Sequence, residues 1–406
     1  MSPRRRHKAV VGLVGVATAA VVLTGCHIAP RLGVSTTVYP LHGHCDTSAV
    51  VEVGASLPLS GSASEVGRAQ LLGLELGVDS VNATGGVLTA HRCLELLYKD
   101  DRSDPAVDNQ ALLDLVNQEK VSFLAGPFLT LENPANRDHI GALGTAAASH
   151  SELAVTFKPG EFPNTFPIAT SMADQASVLV AAAKRLHLLN IALVRSGSQV
   201  AAEGATAFRD AARSAGLTVT PTTFVVDSRA GARSAWTDLR AGHPNAVVVF
   251  DSGSTLTPLL AARRSAGATL PVLASTQRVP ALPTAALEGV RVVVSKSLVV
   301  SRHVPVGLES FRARVLRTLH QTRLRGPITP YAQGYDALQL FANAANGVNA
   351  SDSASIRTFI ENANFEGILG TYDYTSSHHE GLAASQLAVA PLDSLSDGLY
   401  VVTASG

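Results

Sequence analysis

The chain has 406 residues, of which 46% are hydrophobic and 16% charged, and its formal net charge is zero. High apolar content without net charge excludes a mainly disordered chain, and the length suffices for two or three domains. Nucleic acid is a poor partner because no basic tract occurs beyond the N-terminus, and no later apolar run reaches the roughly 18 residues of a membrane-spanning helix.

The N-terminus has the features of a secretory signal. A basic cluster at 4–8 precedes an apolar stretch at 9–23, which ends in Leu23-Thr24-Gly25-Cys26. This ending resembles a bacterial lipobox, whose cysteine is acylated before the signal is removed. We therefore predict a lipoprotein signal peptide at 1–25, a lipid anchor on Cys26 and a location on the extracytoplasmic face of the cell membrane. The alternative is an uncleaved anchor.

Residues 26–48 lack apolar periodicity and predict a lipidated tether. Cleavage removes four basic residues and no acidic one, which leaves 28 basic and 32 acidic residues. Cys45 and Cys93 remain as an even pair in an oxidising compartment, each just before a predicted strand. Neighbouring parallel strands start at the same edge of a sheet, so we expect a disulfide, with two free buried thiols as the alternative.

From residue 49 onward, short β-rich runs alternate with helical stretches, which is typical of doubly wound parallel sheets. The first helix contains apolar residues from Leu71 to Val81, has a capping box at Ser62-x-x-Glu65 and ends at 82–86. The second begins at Asp104-Pro105, and two more are expected at 205–215 and around Trp236. Strands are predicted at 49–55, 94–98, 121–125, 191–194, 217–225 and 246–250.

Several segments, taken in order, resemble the type 1 periplasmic binding proteins that serve branched-chain amino acid and amide transporters. The segments are Ala55–Gly61, Gly73–Leu76, Val81–Val87, Lys99–Pro105, Ala125–Pro127, Tyr335–Ala337 and Phe365–Gly370. Each one is mostly turn and cap chemistry, so their order and spacing carry the resemblance. It spans roughly residues 50–390.

The resemblance implies an α/β fold of two doubly wound parallel-sheet lobes, joined by three crossings near Ser171, Ser297 and Tyr372. Lobe 1 would comprise 49–171 and 298–372, and lobe 2 would comprise 172–297 and 373–406. A small polar ligand, such as a branched-chain amino acid, an amide or a related carboxylate, would bind between the lobes. A monomer would deliver it to an ABC permease.

In this family, a hydroxyl residue after the third strand and a second ligand-contacting loop hold the ligand in the first lobe. The matching residues here are Thr130, Ala147 and Ser149. Thr130 would bind the ligand carboxylate, Ala147 would offer backbone groups, and Ser149 would help bind the amino and carboxylate ends. An ordinary helix cap at Thr130 and a plain loop at Ala147 to Ser149 are the alternatives.

The second lobe departs from the family pattern. The stretch Ser198–Gly204 lacks the aromatic residue that the family places there, and the position of the acid that pairs with a ligand ammonium matches Gln277. Asp251 could supply the missing charge or could cap a helix. Tyr331 could form a wall of the pocket or pack at the start of its helix. These departures leave the class intact but put a zwitterionic amino acid in doubt.

The sequence favours a binding protein over an enzyme. Metalloprotease, serine-hydrolase and phosphate-loop motifs are absent, so no catalytic residue, metal or cofactor is predicted. His378-His379-Glu380 could be a metal cluster but is favoured as a solvated loop, and Asp100-Asp101 is favoured as a turn over a catalytic carboxylate pair. The alternatives to transport are a ligand sensor of the same fold, a degenerate binding protein and, much weaker, a secreted hydrolase.

Overall fold

The first sheet lies in the N-terminal part of the chain. The computed structural model describes residues 34–126, 141, 143–251, 255–275, 286–301 and 303–402. The strands of the first sheet are β1 (Thr37–Val38), β2 (Asp46–Leu57), β3 (Arg92–Asp100), β4 (Phe123–Ala125), β5 (Ala146–Ser149) and β6 (Thr165–Pro167). Their order is β1-β3-β2-β4-β5-β6, with only β1 antiparallel to its neighbour.

The second sheet also has six strands. They are β7 (Asn190–Arg195), β8 (Thr218–Val225), β9 (Ala246–Phe250), β10 (Val272–Ala274), β11 (Val290–Ser295) and β15 (Leu387–Pro391). The order is β15-β11-β10-β9-β7-β8, and β15 alone is antiparallel. The central strands β9 and β10 are fully buried apolar runs, as expected where helices cover both faces of a parallel sheet. The predicted α/β class with two mostly parallel sheets is confirmed.

Two smaller sheets complete the strands. A hairpin joins β13 (Phe365–Glu366) to β14 (Thr371–Tyr372), and a three-stranded sheet has the order β12-β17-β16. Its strands are β12 (Val299–Val300), β16 (Leu395–Ser396) and β17 (Leu399–Val401). The C-terminal segment therefore contributes one strand to the second sheet and two strands to this smaller sheet, while the lobe boundaries given above stay a prediction.

Nine α-helices lie within the described residues. They are α1 (Ser64–Ala83), α2 (Pro105–Asn117), α3 (Met172–Arg185), α4 (Gln199–Ser214), α5 (Arg229–Leu239), α6 (Leu256–Ser265), α7 (Val306–Thr318), α8 (Thr329–Val348) and α9 (Ser353–Ile360). Helices α1 and α8 approach closely because both carry glycine at the contact: a Cβ on Gly73 would lie 2.0 Å from the carbonyl oxygen of Tyr331. In this part of the chain no helix is long and apolar enough to cross a membrane.

The ends of α1 and α2 test the predicted caps. Helix α1 ends at Ala83 and is followed by Gly85 with φ of 104°, a conformation that favours glycine, as predicted. Asp104 caps α2 through a bond from Ala106 N, also as predicted. The Ser62 capping box is wrong. Ala63 precedes α1 without a side-chain cap, and its amide donates instead to the hydroxyl of Ser103 on a neighbouring loop.

The disulfide between Cys45 and Cys93 is confirmed, which excludes the alternative of two free thiols. The two Cα atoms lie 5.0 Å apart. Cys45 directly precedes β2, and Cys93 is the second residue of β3 rather than a residue before it. These strands are parallel neighbours. The bridge therefore joins the amino-terminal ends of β2 and β3, which lie opposite the carboxyl ends of the strands.

Candidate functional site

Small polar side chains mark the carboxyl ends of the parallel strands in both sheets. The first sheet has Ser149 there, and the second has Ser196, Asp251, Ser275 and Ser295, all of which are buried. In open parallel sheets, ligands collect outside the carboxyl ends of the strands, where helix N-termini direct free amides. These residues define the candidate site.

Ser149 and Ala147 lie on the strand β5, where the resemblance implied a loop. The Ser149 hydroxyl accepts a bond of 3.0 Å from Ser151 N, which orders the loop that follows the strand. The Ser149 carbonyl accepts a bond of 2.6 Å from Ile168 N, just after β6. Ala147 is buried within the strand. Thr130, the third residue predicted for this side of the site, lies outside the described residues.

His150 is a feature of the site that the sequence analysis missed. Its side chain is buried, and neither ring nitrogen has a hydrogen-bond partner in the described part of the chain. Burial lowers its pKa to about 4, although the backbone of Gln333 opposes the change, so the imidazole is neutral at neutral pH. A Cβ on Gly126, at the end of β4, would lie 3.2 Å from His150 Nδ1. No sequence signal distinguishes this histidine from an exposed one.

Asp251 lies at the carboxyl end of β9 and caps α6. Its two carboxylate oxygens accept bonds from Thr255 N at 2.9 Å and Leu256 N at 3.0 Å, while Asp251 N donates to Ser275 Oγ at 3.3 Å. The capping alternative therefore describes what the side chain does here, and its pairing with a ligand ammonium stays a prediction. Gln277 lies outside the described residues.

Two serines follow β7. Ser196 Oγ lies 3.1 Å from Ser198 Oγ, and Ser198 caps α4 by accepting a bond from Ala201 N. The main-chain nitrogen of Gly197 donates to Asp227 at 2.8 Å. In the sequence, only the missing aromatic residue distinguished this stretch from the family pattern. The useful signal was Ser-Gly-Ser directly after a buried apolar strand, which places hydroxyl groups and a helix N-terminus at the site.

Side chains link the loop after β5 to the helices beside the second sheet. Gln175 on α3 donates to Glu152 at 2.7 Å, and Ala154 N donates to Glu203 on α4 at 2.9 Å. Gln199 also donates to Glu203 at 3.0 Å. Because the loop begins at the carboxyl end of β5 and α4 begins after β7, these bonds bring the carboxyl ends of the two sheets to adjoining positions.

Tyr331 lies in the first turn of α8, half-buried against the core. Burial raises its pKa above the usual value, with a further contribution from the carboxylate of Glu65. Both features describe a ring packed near the start of α1, which favours the packing alternative. A contact of Tyr331 with a ligand stays a prediction.

In the Asp100-Asp101 pair and in the His378-His379 pair, the two neighbouring side chains lie in different environments. Asp100 organises a turn by accepting bonds from Leu59 N and Ser60 N, each at 3.0 Å, whereas Asp101 is buried. His378 is exposed, but His379 is fully buried, so the expected solvated loop is wrong for His379. Across the described ranges, no group of three or more histidine, cysteine, aspartate or glutamate residues is arranged to hold a metal ion.

The sequence matches the family described as periplasmic binding protein over residues 50–398. The structure is similar to a periplasmic binding protein type 1 from Bordetella pertussis Tohama I, with a TM-score of 0.70 and 17% identity, over 84% of this chain and 96% of that one. It is also similar to the branched-chain amino acid transporter substrate-binding protein LivJ of Streptococcus pneumoniae in complex with isoleucine (TM-score 0.66, 20% identity, 84% and 99% covered).

A third similar structure is a solute-binding protein of an ABC transporter from Rhodopseudomonas palustris BisB5 in complex with 3,4-dihydroxybenzoic acid. Its TM-score is 0.70 and its identity 16%, over 84% of this chain and 93% of that one. At identities of 20% or less, these likenesses concern the fold, which is the two-sheet arrangement described above.

Proposed function

The chain belongs to the periplasmic binding protein family and has its type 1 fold, and we propose that it captures a small polar ligand for an ABC transporter. The observation that carries this proposal is the set of buried hydroxyl and carboxylate groups at adjoining strand ends of the two sheets. A ligand held there would contact both sheets at once. Its binding would favour the closed arrangement that the permease recognises.

The ligand class that we propose is a branched-chain amino acid, an amide or a related carboxylate. Serine hydroxyls and the N-terminus of α4 supply hydrogen-bond donors where a helix dipole favours negative charge. The isoleucine and 3,4-dihydroxybenzoic acid of the two similar structures each contain a carboxyl group. We propose Ser149, Thr130 and the backbone of Ala147 as the contacts on the side of the first sheet.

Asp251 is the group proposed to pair with an ammonium on the ligand, with Gln277 and Tyr331 as neighbouring contacts. Its oxygens already accept bonds from Thr255 and Leu256. If the ligand carries no ammonium, Asp251 acts as the helix cap alone.

We also propose that acylated Cys26 holds a monomer at the extracytoplasmic face of the membrane. The support is the sequence Leu23-Thr24-Gly25-Cys26 after a basic and apolar leader. Cys26→Ser is expected to release the protein from the membrane fraction of the cells that make it, whereas Cys45→Ser is not.

The test of the binding function is thermal unfolding of the protein against branched-chain amino acids, amides, 3,4-dihydroxybenzoate and aliphatic carboxylates. A ligand that binds only the folded state adds about 2.7 kcal/mol at a hundredfold excess over its dissociation constant. We expect one member of the panel to raise the unfolding midpoint, and Ser149→Ala to abolish that rise. Ser265→Ala, an exposed serine on α6, is the matched control and should keep it.

Three outcomes would contradict the proposal in different ways. A ligand whose effect is the same in Ser149→Ala and in the wild type would retain the binding function but reject the site. Absence of any midpoint shift across the panel would favour a degenerate binding protein. A ligand that binds without being taken up by cells would support a sensor.

A further inference from the structure

A pocket of about 390 Å³ lies at the end of the second sheet opposite the candidate site. It is formed where α6 ends and where the chain enters β10 and β11. The residues that line it include Arg263, Arg264, Thr269, Glu288 and Gly289. Because β11 has six residues and rises about 3.3 Å per residue, roughly 20 Å separate this pocket from the end of β11 that carries Ser295.

Arg263 is the central group of the pocket. Only 7% of the residue is exposed, and its Nη1 donates to the carbonyl oxygen of Glu288 at 2.9 Å. Its Nε is buried and has no acceptor within the residues that the structure describes. A buried donor without an acceptor is costly, so the guanidinium is prepared to bind an oxygen that enters the pocket.

The charge and shape of the pocket favour an anion. Two guanidinium groups and one carboxylate line it, and Arg264 is exposed beside the buried Arg263. Gly289 has φ of 71° and faces the guanidinium, since a Cβ there would lie 3.3 Å from Arg263 Nη2. The absence of a side chain at this position keeps the Nη2 side of the fork open. A planar guanidinium fork matches the geometry of carboxylate and phosphate oxygens.

We propose that this pocket is a second binding site, for a small oxyanion such as a carboxylate or phosphate group, held by Arg263 and Arg264. Thr269, which lines the same pocket, offers a hydroxyl to a further oxygen. This site is separate from the candidate site at the carboxyl ends of the strands. It uses none of the same residues and lies where the chain enters β10 and β11, at the amino-terminal ends of these strands.

The test is calorimetric titration of the protein with inorganic phosphate, and separately with acetate, at an ionic strength held constant with chloride. We expect saturable binding of at least one of the two anions, and the arm that binds identifies the preferred oxyanion. Arg264→Gln should weaken binding about tenfold, because it removes a charge-assisted contact at an exposed position. Arg263→Lys keeps the charge but loses the fork, and should weaken binding further.

Two control variants separate this site from general charge and from the cleft. Arg233→Gln removes an exposed arginine from α5 and should leave the affinity unchanged. Ser149→Ala should also leave it unchanged. The proposal is overturned if neither anion binds saturably to the wild type, if Arg264→Gln binds as tightly as the wild type, or if Ser149→Ala abolishes binding, which would assign the anion to the cleft.

Discussion

The carboxylate of Glu203 accepts a hydrogen bond of 2.9 Å from the main-chain nitrogen of Ala154. Glu203 lies on α4, beside the second sheet, and Ala154 lies on the loop that leaves the first sheet after β5. Gln199 fixes the same carboxylate from one turn earlier on the helix, at 3.0 Å. The bond thus links the loop of the first sheet to a helix of the second sheet, directly beside the candidate site. A motion that separates the two sheets would break it.

Glu203→Ala is expected to increase the rate of amide hydrogen exchange at Ala154, because it removes the acceptor from an amide on the surface. Loss of such a partly exposed bond costs about 1 kcal/mol, which corresponds to roughly fivefold faster exchange. The fold should persist because Gln175 and Glu152 keep a second link at 2.7 Å. Glu203→Gln retains an acceptor oxygen and is the control. An unchanged rate at Ala154 in Glu203→Ala would reject this bond in solution.

Asp336→Ala is expected to destabilise the protein by about 3 kcal/mol. Asp336 is fully buried and accepts bonds from Ile368 N at 2.7 Å, Leu369 N at 3.0 Å and the hydroxyl of Tyr372 at 3.0 Å. The substitution leaves these donors without their acceptor, and buried donors without acceptors carry a large penalty. Tyr372→Phe removes one donor together with its bond and should cost about 1 kcal/mol. Urea unfolding of both variants measures the difference, and equal losses would contradict this account.

The hydrogen bonds of Asp336 and Asp100 explain why a few short sequence segments were enough to predict the fold. Asp336 joins the motif at 335–337 to the one at 365–370, and Asp100 joins Ser60 in the first motif to the turn after β3. In these four motifs, polar turn residues have partners in another motif. Their order along the chain therefore indicates a particular arrangement of strands and helices.

Long-range packing decided the features that the sequence did not reveal. The cap of α1 was misassigned because the helix begins after Ala63, which has no capping side chain and whose amide donates to Ser103, some forty residues away. His379 is buried because it lies between Thr165 on the first sheet and Glu361 after α9, at 2.8 and 3.1 Å. A pattern of neighbouring residues cannot show such partners. Ser149 lies at the end of a strand, and its contact with a ligand stays a prediction.

Loss of the disulfide is expected to lower the free energy of unfolding by about 2 to 4 kcal/mol. The bridge between Cys45 and Cys93 closes a loop with a sequence separation of 48 residues and so restricts the unfolded chain. The double variant Cys45→Ser/Cys93→Ser, compared with the wild type by urea unfolding, measures the loss. A reducing agent should lower the stability of the wild type and leave that of the double variant unchanged. Equal sensitivity of the two proteins would show that the bridge contributes nothing.

The stability of the protein is expected to rise as the pH falls from 8 to 6.5. Burial raises the pKa of four carboxyl groups to about 7: those of Glu75, Asp101, Asp174 and Asp336. Nearby carboxylates raise three of them further, Asp79 beside Glu75, Asp108 beside Asp101 and Glu380 beside Asp174. Between pH 4 and 7 the folded state therefore holds protons that the unfolded state releases. This stabilisation is complete below the unfolded pKa and is lost as the pH rises through 7.

His150 opposes part of this effect at lower pH. Its pKa is lowered to about 4, so below about pH 6.5 the unfolded chain binds a proton that the folded protein excludes, and stability falls as the pH decreases. Urea unfolding at pH 8, 6.5 and 5 should show a gain on the order of 1 kcal/mol for each fully buried carboxyl group over the first interval, and a further gain over the second that protonation of His150 in the unfolded chain partly offsets. Asp101→Asn, which mimics the protonated form, should reduce the first gain. A stability that increases from pH 6.5 to 8 would show that these carboxyl groups are ionised in the folded protein at neutral pH.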